Sequence, residues 1–360
     1  MLGRSWVFAS IFALCVASLL SPRSTFAQAS TAVGNITAED DSSKLPWRGT
    51  SLAFSQSLSV NAFSKSAQTS YNPTYSWTFI LLPRWYFNKT TFLNIDQRLF
   101  LELTNSDSTL YAQRAMLSDT IVGVDTVFYD EEMPGNTELT LAGGLHLIAP
   151  TSLASRADTM VVGGRARASA TMLWKKALKG ASITVQGRYG HRFLRHNTTQ
   201  AEQPYPCLAG GAAVSNCEFL GGASGVRNTL STIISGSLQL TDTISVALLV
   251  WLSWARGADL APYVREIESG MVSLADTSTT HWRNERYLVL GVDWLATDWL
   301  SVGLSLINYF PEKAPDGTNR GLVNPLDMMV GLTTSVAFDR LYLTALGPRK
   351  QPPATAQLRR

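Results

Sequence analysis

Hydrophobic and polar residues alternate along most of this chain with a period of two. Residues 51–62 show the pattern most simply, with Leu52, Phe54, Leu58 and Val60 alternating with Ser51, Ser55, Ser57 and Ser59. Successive side chains of a strand point to opposite faces, so the pattern predicts a strand with one apolar and one polar face. About twelve such segments, each of ~9–15 residues, follow one another along the chain.

The connections between these segments alternate in length. The short connections are 88–91, 130–136, 175–180, 241–242 and 296–298, and the long ones are 105–118, 150–160, 196–226, 257–281 and 311–326. Transmembrane barrels have short periplasmic turns and longer extracellular loops, whereas loop lengths in a sandwich or propeller need not separate by side. The predicted fold is therefore all-β: a transmembrane antiparallel up-and-down β-barrel of about twelve strands, with ten to fourteen compatible.

The ends of the chain differ from the middle. Residues 1–27 have the features of a secretory signal peptide: Arg4, an apolar run from Val7 to Leu20, and small residues before position 28. We expect a short periplasmic segment over 28–50, the barrel over 51–346 and a periplasmic basic tail over 347–360. Asp339 and Arg340 interrupt the pattern of the last strand. The expected location is the bacterial outer membrane.

Composition narrows the classes of function. The chain has 360 residues, of which 45% are hydrophobic and 16% charged, and its net charge is +3. That charge is too small to indicate a nucleic-acid surface. No cofactor motif occurs. Expected partners are outer-membrane lipids, a small-molecule solute and, during insertion, the barrel assembly machinery.

Two cysteines follow the signal peptide, Cys207 and Cys217. In an oxidising compartment this spacing favours a disulfide that closes the loop between them. The alternative is a thiol or metal site, but no second cysteine pair or histidine cluster lies nearby.

Aromatic residues concentrate at the ends of the predicted strands, as in the girdles of membrane barrels. The predicted periplasmic girdle contains Trp85, Tyr86, Phe92, Phe128, Trp174, Trp294 and Trp299, and the outer one Tyr75, Trp77, Trp254, Trp282, Tyr309 and Phe310. Ordinary packing at strand ends is the alternative interpretation.

Odd and even positions of a strand point to opposite faces, and this parity predicts which charged residues face the lumen. The pore-lining candidates are Asp96, Arg98, Glu102, Arg165, Arg167, Arg188, Arg192, Glu285 and Asp293. They could simply pair with one another or with water. Alternatively, the arginines of strands six and seven could favour anions in a polar pore.

Three classes of function remain open. The first is a passive channel or transporter for small molecules. The second is a lipid-modifying enzyme with an active site at the rim, where His191 and His196 lie near the outer end of strand seven, although no G-x-S-x-G motif occurs. The third is a structural or adhesive barrel that presents its outer loops. No catalytic or metal-binding residue is predicted.

Two segments carry a family resemblance. Residues 117–124 (LSDTIVGV) and 145–151 (LHLIAPT) resemble the GDxxxGx and GxxxPTG segments of outer-membrane transporters of the phenol-degradation (MetA-pathway) type. The glycine after Pro150 and Thr151 is missing here, and no binding residues follow from the match. The resemblance implies a small outer-membrane barrel that transports an apolar or aromatic compound.

Overall fold

The structure is a computed structural model. It describes residues 45–60, 73–104, 115–197, 207–209, 212–214, 225–258, 264–267, 270–273, 282–311, 323 and 328–346. The predicted signal peptide, the basic tail and Cys217, the second half of the predicted disulfide, lie outside the described residues.

Twelve barrel strands run in sequence order. They are β1 (Ser51–Ser59), β2 (Tyr75–Leu82, continued by Arg84–Tyr86), β3 (Thr91–Glu102), β4 (Ala115–Leu117 and Thr120–Met133), β5 (Thr137–Ala149), β6 (Met160–Trp174), β7 (Ala181–Leu194), β8 (Val226–Gln239), β9 (Ile244–Gly257), β10 (Trp282–Thr297), β11 (Leu300–Pro311) and β12 (Met328–Ala337).

Every strand pairs antiparallel with its neighbours in sequence, and β1 also pairs with β12, which closes the sheet. At this closure Ser55 lies opposite Thr333, and their hydroxyl oxygens are 2.7 Å apart. A closed sheet leaves no strand edge unpaired, which is the condition for placing strands in hydrocarbon. The predicted twelve-strand barrel is therefore confirmed.

Several elements depart from uninterrupted strands. β2 breaks at Pro83, which has no N–H to donate to the sheet. A short helix, α1 (Leu153–Ala157), lies in the connection after β5. After β12 the chain forms α2 (Phe338–Leu346), so the end of the predicted barrel range is helical. No helix in the described part of the chain has the length and apolar composition needed to cross a membrane.

The helix α2 is tied to the segment before β1. The carboxylate of Asp339 accepts a 2.9 Å hydrogen bond from the backbone N–H of Gly49, and the rings of Trp47 and Tyr342 meet edge to face at 5.4 Å. Asp339 is buried. The residue pair that interrupts the strand pattern thus starts a helix that fastens the two ends of the barrel wall together.

The short connections lie on one side of the barrel, as predicted. They consist of residues 87–90, 134–136, 175–180, 240–243 and 298–299. In the second of these turns Gly135 and Asn136 both have positive φ, of 87° and 59°, the left-handed conformation that tight hairpins require. In the third, hydrogen bonds to Glu132 and Glu138 raise the pKa of the Lys175 ammonium above its ordinary value.

The two faces of the wall differ in chemistry. Apolar side chains cover the outer face, with Leu145 and Leu147 exposed by 73% and 66%. The serines of β1 lie on the opposite face and are buried, as the sequence pattern predicts. An apolar exterior around a more polar interior is the arrangement of a barrel that lies in a bilayer.

Candidate functional site in the barrel lumen

Strand pairing places every predicted pore-lining residue on the inner face of the wall. Directly paired residues of an antiparallel sheet share a face. Arg167 pairs with Arg188, which pairs with Ser231, and this row continues through Ser253 to Glu285. The remaining candidates share that inner face through the same register: Asp96, Arg98, Glu102, Arg165, Arg192 and Asp293. Their part in permeation stays a prediction.

The charged side chains gather on β2–β7. One row of paired residues runs from Arg84 through Asn94, Gly123 and His146 to Arg165. The next row runs through Phe92, Asp125, Gly144, Arg167 and Arg188. Two adjacent rows on one side of the lumen therefore bring together four arginines, a histidine and an aspartate.

Asp125 is the hub of these rows. Its carboxylate accepts hydrogen bonds from Arg167 Nε at 2.5 Å, from His146 Nε2 at 3.2 Å and from the Asn94 amide. The Asp125 side chain is only 3% exposed. A buried carboxylate needs such partners, because an unpaired charge is costly in a low dielectric. This cluster fixes one carboxylate, one guanidinium and one imidazole against each other.

Two glycines make room for the cluster. A methyl group at Gly144 would overlap the Asp125 carboxylate, and one at Gly123 would overlap the His146 ring. Both glycines lie in the rows described above, beside the side chains that they accommodate. Their missing Cβ atoms thus allow Asp125 and His146 to lie flat against the wall.

Arg98 and Asp96 form a second, separate pair on β3. Arg98 donates from Nε and Nη2 to the two carboxylate oxygens of Asp96, at 2.8 and 3.0 Å. Two parallel N–H···O bonds make this a bidentate pair. Further out, Glu102 is fully buried and accepts a 3.1 Å hydrogen bond from Thr104.

A cavity of about 30 Å³ lies among these groups. Its lining contains four arginines and one aspartate with a histidine, an asparagine and three aliphatic residues, namely Arg84, Arg165, Arg167, Arg188, Asp96, His146, Asn94, Leu82, Ile95 and Ile121. Arg188 Nε donates to Gln186 at 2.5 Å, which orients its guanidinium along the wall.

The short-turn end of this wall is aromatic. Tyr86 stacks on Phe92 with ring centroids 4.8 Å apart, and the guanidinium carbon of Arg48 lies 3.4 Å from the centre of the Tyr86 ring. Strand pairing puts Tyr86 and Phe92 on the lumen side. Their predicted place in a lipid-facing girdle is therefore wrong, whereas Trp85, the residue before Tyr86, is half-exposed on the outer face.

The other wall, formed by β8–β12, is mainly apolar at the middle of the lumen. Its buried cluster consists of Ile233, Leu249, Trp251, Tyr287, Val289, Ile307 and Met329. Trp251 stacks on Tyr287 at 4.5 Å, and Tyr287 stacks on Tyr309 at 4.3 Å. Tyr309 therefore also faces the lumen and not an outer girdle.

His191, one of the two predicted rim histidines, has no hydroxyl or thiol on its direct cross-strand partners. His191 faces the outside of the barrel, and its Nδ1 lies 2.8 Å from the Asn228 side-chain oxygen. Its direct partners on the two neighbouring strands are Gly164 and Asn228. Nucleophilic catalysis needs a hydroxyl or thiol within hydrogen-bonding reach of the base. Neither cross-strand partner supplies one.

Three of the central residues, Arg84, Asp125 and His146, are not among the predicted pore-lining residues, although the position of His146 between Leu145 and Leu147 indicates the inner face. Parity could have found Arg84 and Asp125, because Trp85 and Val124, which face outwards, lie directly beside them in the sequence. What parity cannot supply is the register that brings residues 21 positions apart, Asp125 and His146, into contact.

A closed antiparallel barrel with an apolar exterior and a charged lumen has the architecture of an outer-membrane β-barrel protein. No family model and no curated protein sequence matches the chain. Several solved outer-membrane proteins are similar to it in structure. A channel from Pseudomonas putida F1 is 11% identical over 83% of this chain and 99% of that chain, with a TM-score of 0.44.

Two further structures show the same level of similarity. NanC porin is 10% identical over 80% of this chain and 98% of that chain, with a TM-score of 0.40. OmpT, an outer membrane protein of Vibrio cholerae, is 8% identical over 80% of this chain and 97% of that chain, with a TM-score of 0.34. At these levels the comparisons assign no function beyond what the lumen itself supports.

Proposed function

We propose that this protein is a passive outer-membrane channel for small molecules, which cross through the polar part of the barrel lumen. The observation that supports this proposal is the distribution of inward charges along the barrel axis. Arg192 and Glu285 lie towards the long-loop end, Arg167 and Arg188 near mid-height, and Asp293 near the short-turn end. A hydrated solute meets polar groups at each level of the lumen.

The lumen of this channel is narrow. A twelve-stranded barrel is intermediate between an eight-stranded barrel filled by side chains and a sixteen-stranded aqueous channel. Many inward side chains are buried by their neighbours, including Arg98, Arg188 and Ser231. We therefore expect small, discrete conductance steps, and passage of small solutes but not of oligomeric ones.

The lengths of the connections also support an orientation of the barrel in the membrane. In outer-membrane barrels the short turns face the periplasm and the long connections face outwards. Ser51 and Ala337, the two ends of the wall, lie at the short-turn side of this barrel. The proposal thus puts α2 at the periplasmic mouth.

The experiment is reconstitution of the full-length protein into planar bilayers, with liposome swelling in small neutral solutes as a second readout. Heat-modifiable migration in gels shows separately that the barrel is folded. Discrete current steps together with swelling support the channel. A folded barrel that gives neither current nor swelling would overturn the proposal and leave the lipid-modifying enzyme and the structural barrel as alternatives.

A further inference from the structure

The outward face of β7 and β8 changes in chemistry towards the long-loop end. Nearer the short turns this face carries exposed apolar side chains such as Ile183 and Val185. Towards the long connections it carries Tyr189, His191 and Asn228, where Asn228 pairs directly with His191 and shares its face. Hydrocarbon offers no hydrogen-bond partner, so polar side chains on an outward face indicate the level of the lipid head groups.

The length of β7 supports the same level. A transmembrane β-strand needs about 9–11 residues to cross the hydrocarbon, whereas β7 has 14 residues. Counted from Ala181 at the short-turn end, the hydrocarbon ends near His191. The outward residues that follow therefore lie among the head groups, and Tyr189 lies at the boundary, where aromatic rings with a polar tip concentrate.

Three polar side chains at this boundary are connected by hydrogen bonds. The Tyr189 hydroxyl donates to Asn228 Oδ1 at 3.0 Å, and His191 Nδ1 lies 2.8 Å from the same oxygen. Because an amide oxygen only accepts, Nδ1 carries the imidazole proton. Neither His191 nor Asn228 has a further side-chain bond in the described part of the chain. His191 Nε2 and the Asn228 amide N–H groups are therefore available to a ligand on the outward face.

Two exposed arginines lie beside these residues. The backbone N–H of Arg195 donates to the Thr159 carbonyl at 2.9 Å, so pairing continues past the end of β7 and Arg195 keeps the outward parity of His191. Arg227 lies at the register shift beside Asn228 on β8. Both arginines are exposed, and neither guanidinium has an ion pair or hydrogen bond among the described residues. Exposed cations at this level attract anionic lipid head groups.

We propose that Tyr189, His191, Arg195, Arg227 and Asn228, together the head-group patch, bind the phosphorylated head group of lipid A, the glycolipid of the outer leaflet. Phosphate oxygens match the N–H fork of a guanidinium and accept from the Asn228 amide. Sugar hydroxyls can donate to His191 Nε2.

The surface next to the head-group patch suits the acyl chains of such a lipid. Phe193 and Leu230 are exposed by 55% and 45%, and Leu230 pairs directly with Tyr189 on the outward face. The inference rests on the orientation given under the proposed function, because the long-loop end must face the outer leaflet. It does not require conduction, so lipid binding and current can be measured separately on the same protein.

The binding test is native mass spectrometry of the folded full-length protein in detergent, titrated with diphosphoryl lipid A. Monophosphoryl lipid A and phosphatidylglycerol serve as comparison lipids. We expect a saturable one-to-one adduct with diphosphoryl lipid A, a weaker one with the monophosphoryl form and the weakest with phosphatidylglycerol. Equal binding of the three lipids, or a preference for phosphatidylglycerol, would overturn the proposal.

Substitutions connect the binding to the head-group patch. We expect Arg195→Gln and Arg227→Gln each to weaken lipid A affinity about five-fold, the contribution of one basic side chain near a lipid surface. Asn228→Leu, which removes the amide, should weaken it about ten-fold. The matched control is Lys176→Gln, because Lys176 is exposed in the turn at the opposite end of the same hairpin. Heat-modifiable migration shows that each variant is folded.

The outcomes separate this proposal from the channel function. A loss of affinity in Lys176→Gln equal to that in the two arginine variants would indicate general charge attraction and overturn the head-group patch. Current steps without a saturable lipid A adduct would also overturn it and leave the channel. An adduct that needs Arg195 and Arg227, in a barrel without conductance, would support the head-group patch and overturn the channel.

Discussion

Asp125 offers the sharpest test of how the lumen is held together. The substitution Asp125→Asn keeps the shape of the side chain and removes its charge. Arg167 then loses its carboxylate partner, and His146 and Asn94 lose a charged acceptor. One amide cannot replace a carboxylate here, because three donors converge on its two oxygens.

The expected loss of stability lies between two limits. Removing one partner of a buried ion pair costs about 3–5 kcal/mol, because the other charge stays buried without it. The asparagine oxygen still accepts one hydrogen bond, so the lower limit is the value of one hydrogen bond to a charged group, about 1.5–3 kcal/mol. We therefore expect the free energy of unfolding to fall by about 3 kcal/mol.

The assay is guanidinium unfolding from lipid vesicles, followed by tryptophan fluorescence. Asp242→Asn is the matched control, because Asp242 forms a 3.1 Å ion pair with Lys179 of the neighbouring turn, and both side chains are more than half exposed. Exposed pairs of this kind contribute up to about 1 kcal/mol. Equal effects of the two substitutions would refute the assignment of Asp125 as a buried hub.

Four more substitutions, one of them a control, test separate parts of the barrel, all by the same unfolding assay. Gly144→Ala should destabilise the fold because its methyl group overlaps the Asp125 carboxylate, whereas Gly187→Ala, which has open space around its Cβ position, should be nearly neutral. Trp251→Ala should cost about 3–5 kcal/mol by leaving a cavity beside Tyr287, and a loss below 1 kcal/mol would argue against a packed apolar wall. Ile234→Arg, on the lipid-facing side of β8, should cost about 2–4 kcal/mol in vesicles, and a neutral result would contradict the outward assignment.

The sequence was sufficient for the strands and for the direction of most side chains. A wall between lipid and lumen imposes two environments on alternate positions, so Ser55 and Arg167 could be assigned to the inner face from parity alone. The lengths of the connections supplied the up-and-down order. Both patterns are local in the sequence, so each strand and each connection can be assigned by itself.

Contacts between side chains on different strands could not be predicted from the sequence. Neither the pairing of Asp125 with His146 nor the meeting of Arg84 with the arginines of β6 is encoded in a local pattern, because both depend on register across several strands. The alternation itself puts Tyr309 on the same face as Ser301 and Ser305, and its stacking on Tyr287 shows the inward direction that the girdle prediction did not use.

The structure also differs from the prediction at the C-terminal end of the barrel, where a helix follows β12. Asp339 and Arg340 interrupt the alternation, and the sequence offered no reason to choose a helix there over an irregular strand. The structure supplies the reason, because the Asp339 carboxylate accepts a hydrogen bond from the backbone of Gly49. This partner lies 290 positions away in the sequence.

The central claim is that solutes pass through the lumen, and a charged thiol reagent tests it most directly. Ser235 faces the lumen and is only partly buried, whereas Ile234 beside it faces outwards, so Ser235→Cys and Ile234→Cys form a matched pair in a background with Cys15, Cys207 and Cys217 replaced by serine. Mass spectrometry shows that each cysteine has reacted, and the account predicts that the reagent reduces single-channel current through Ser235→Cys and leaves the current through Ile234→Cys unchanged. A current that stays unchanged when Ser235→Cys is modified would contradict a conducting lumen.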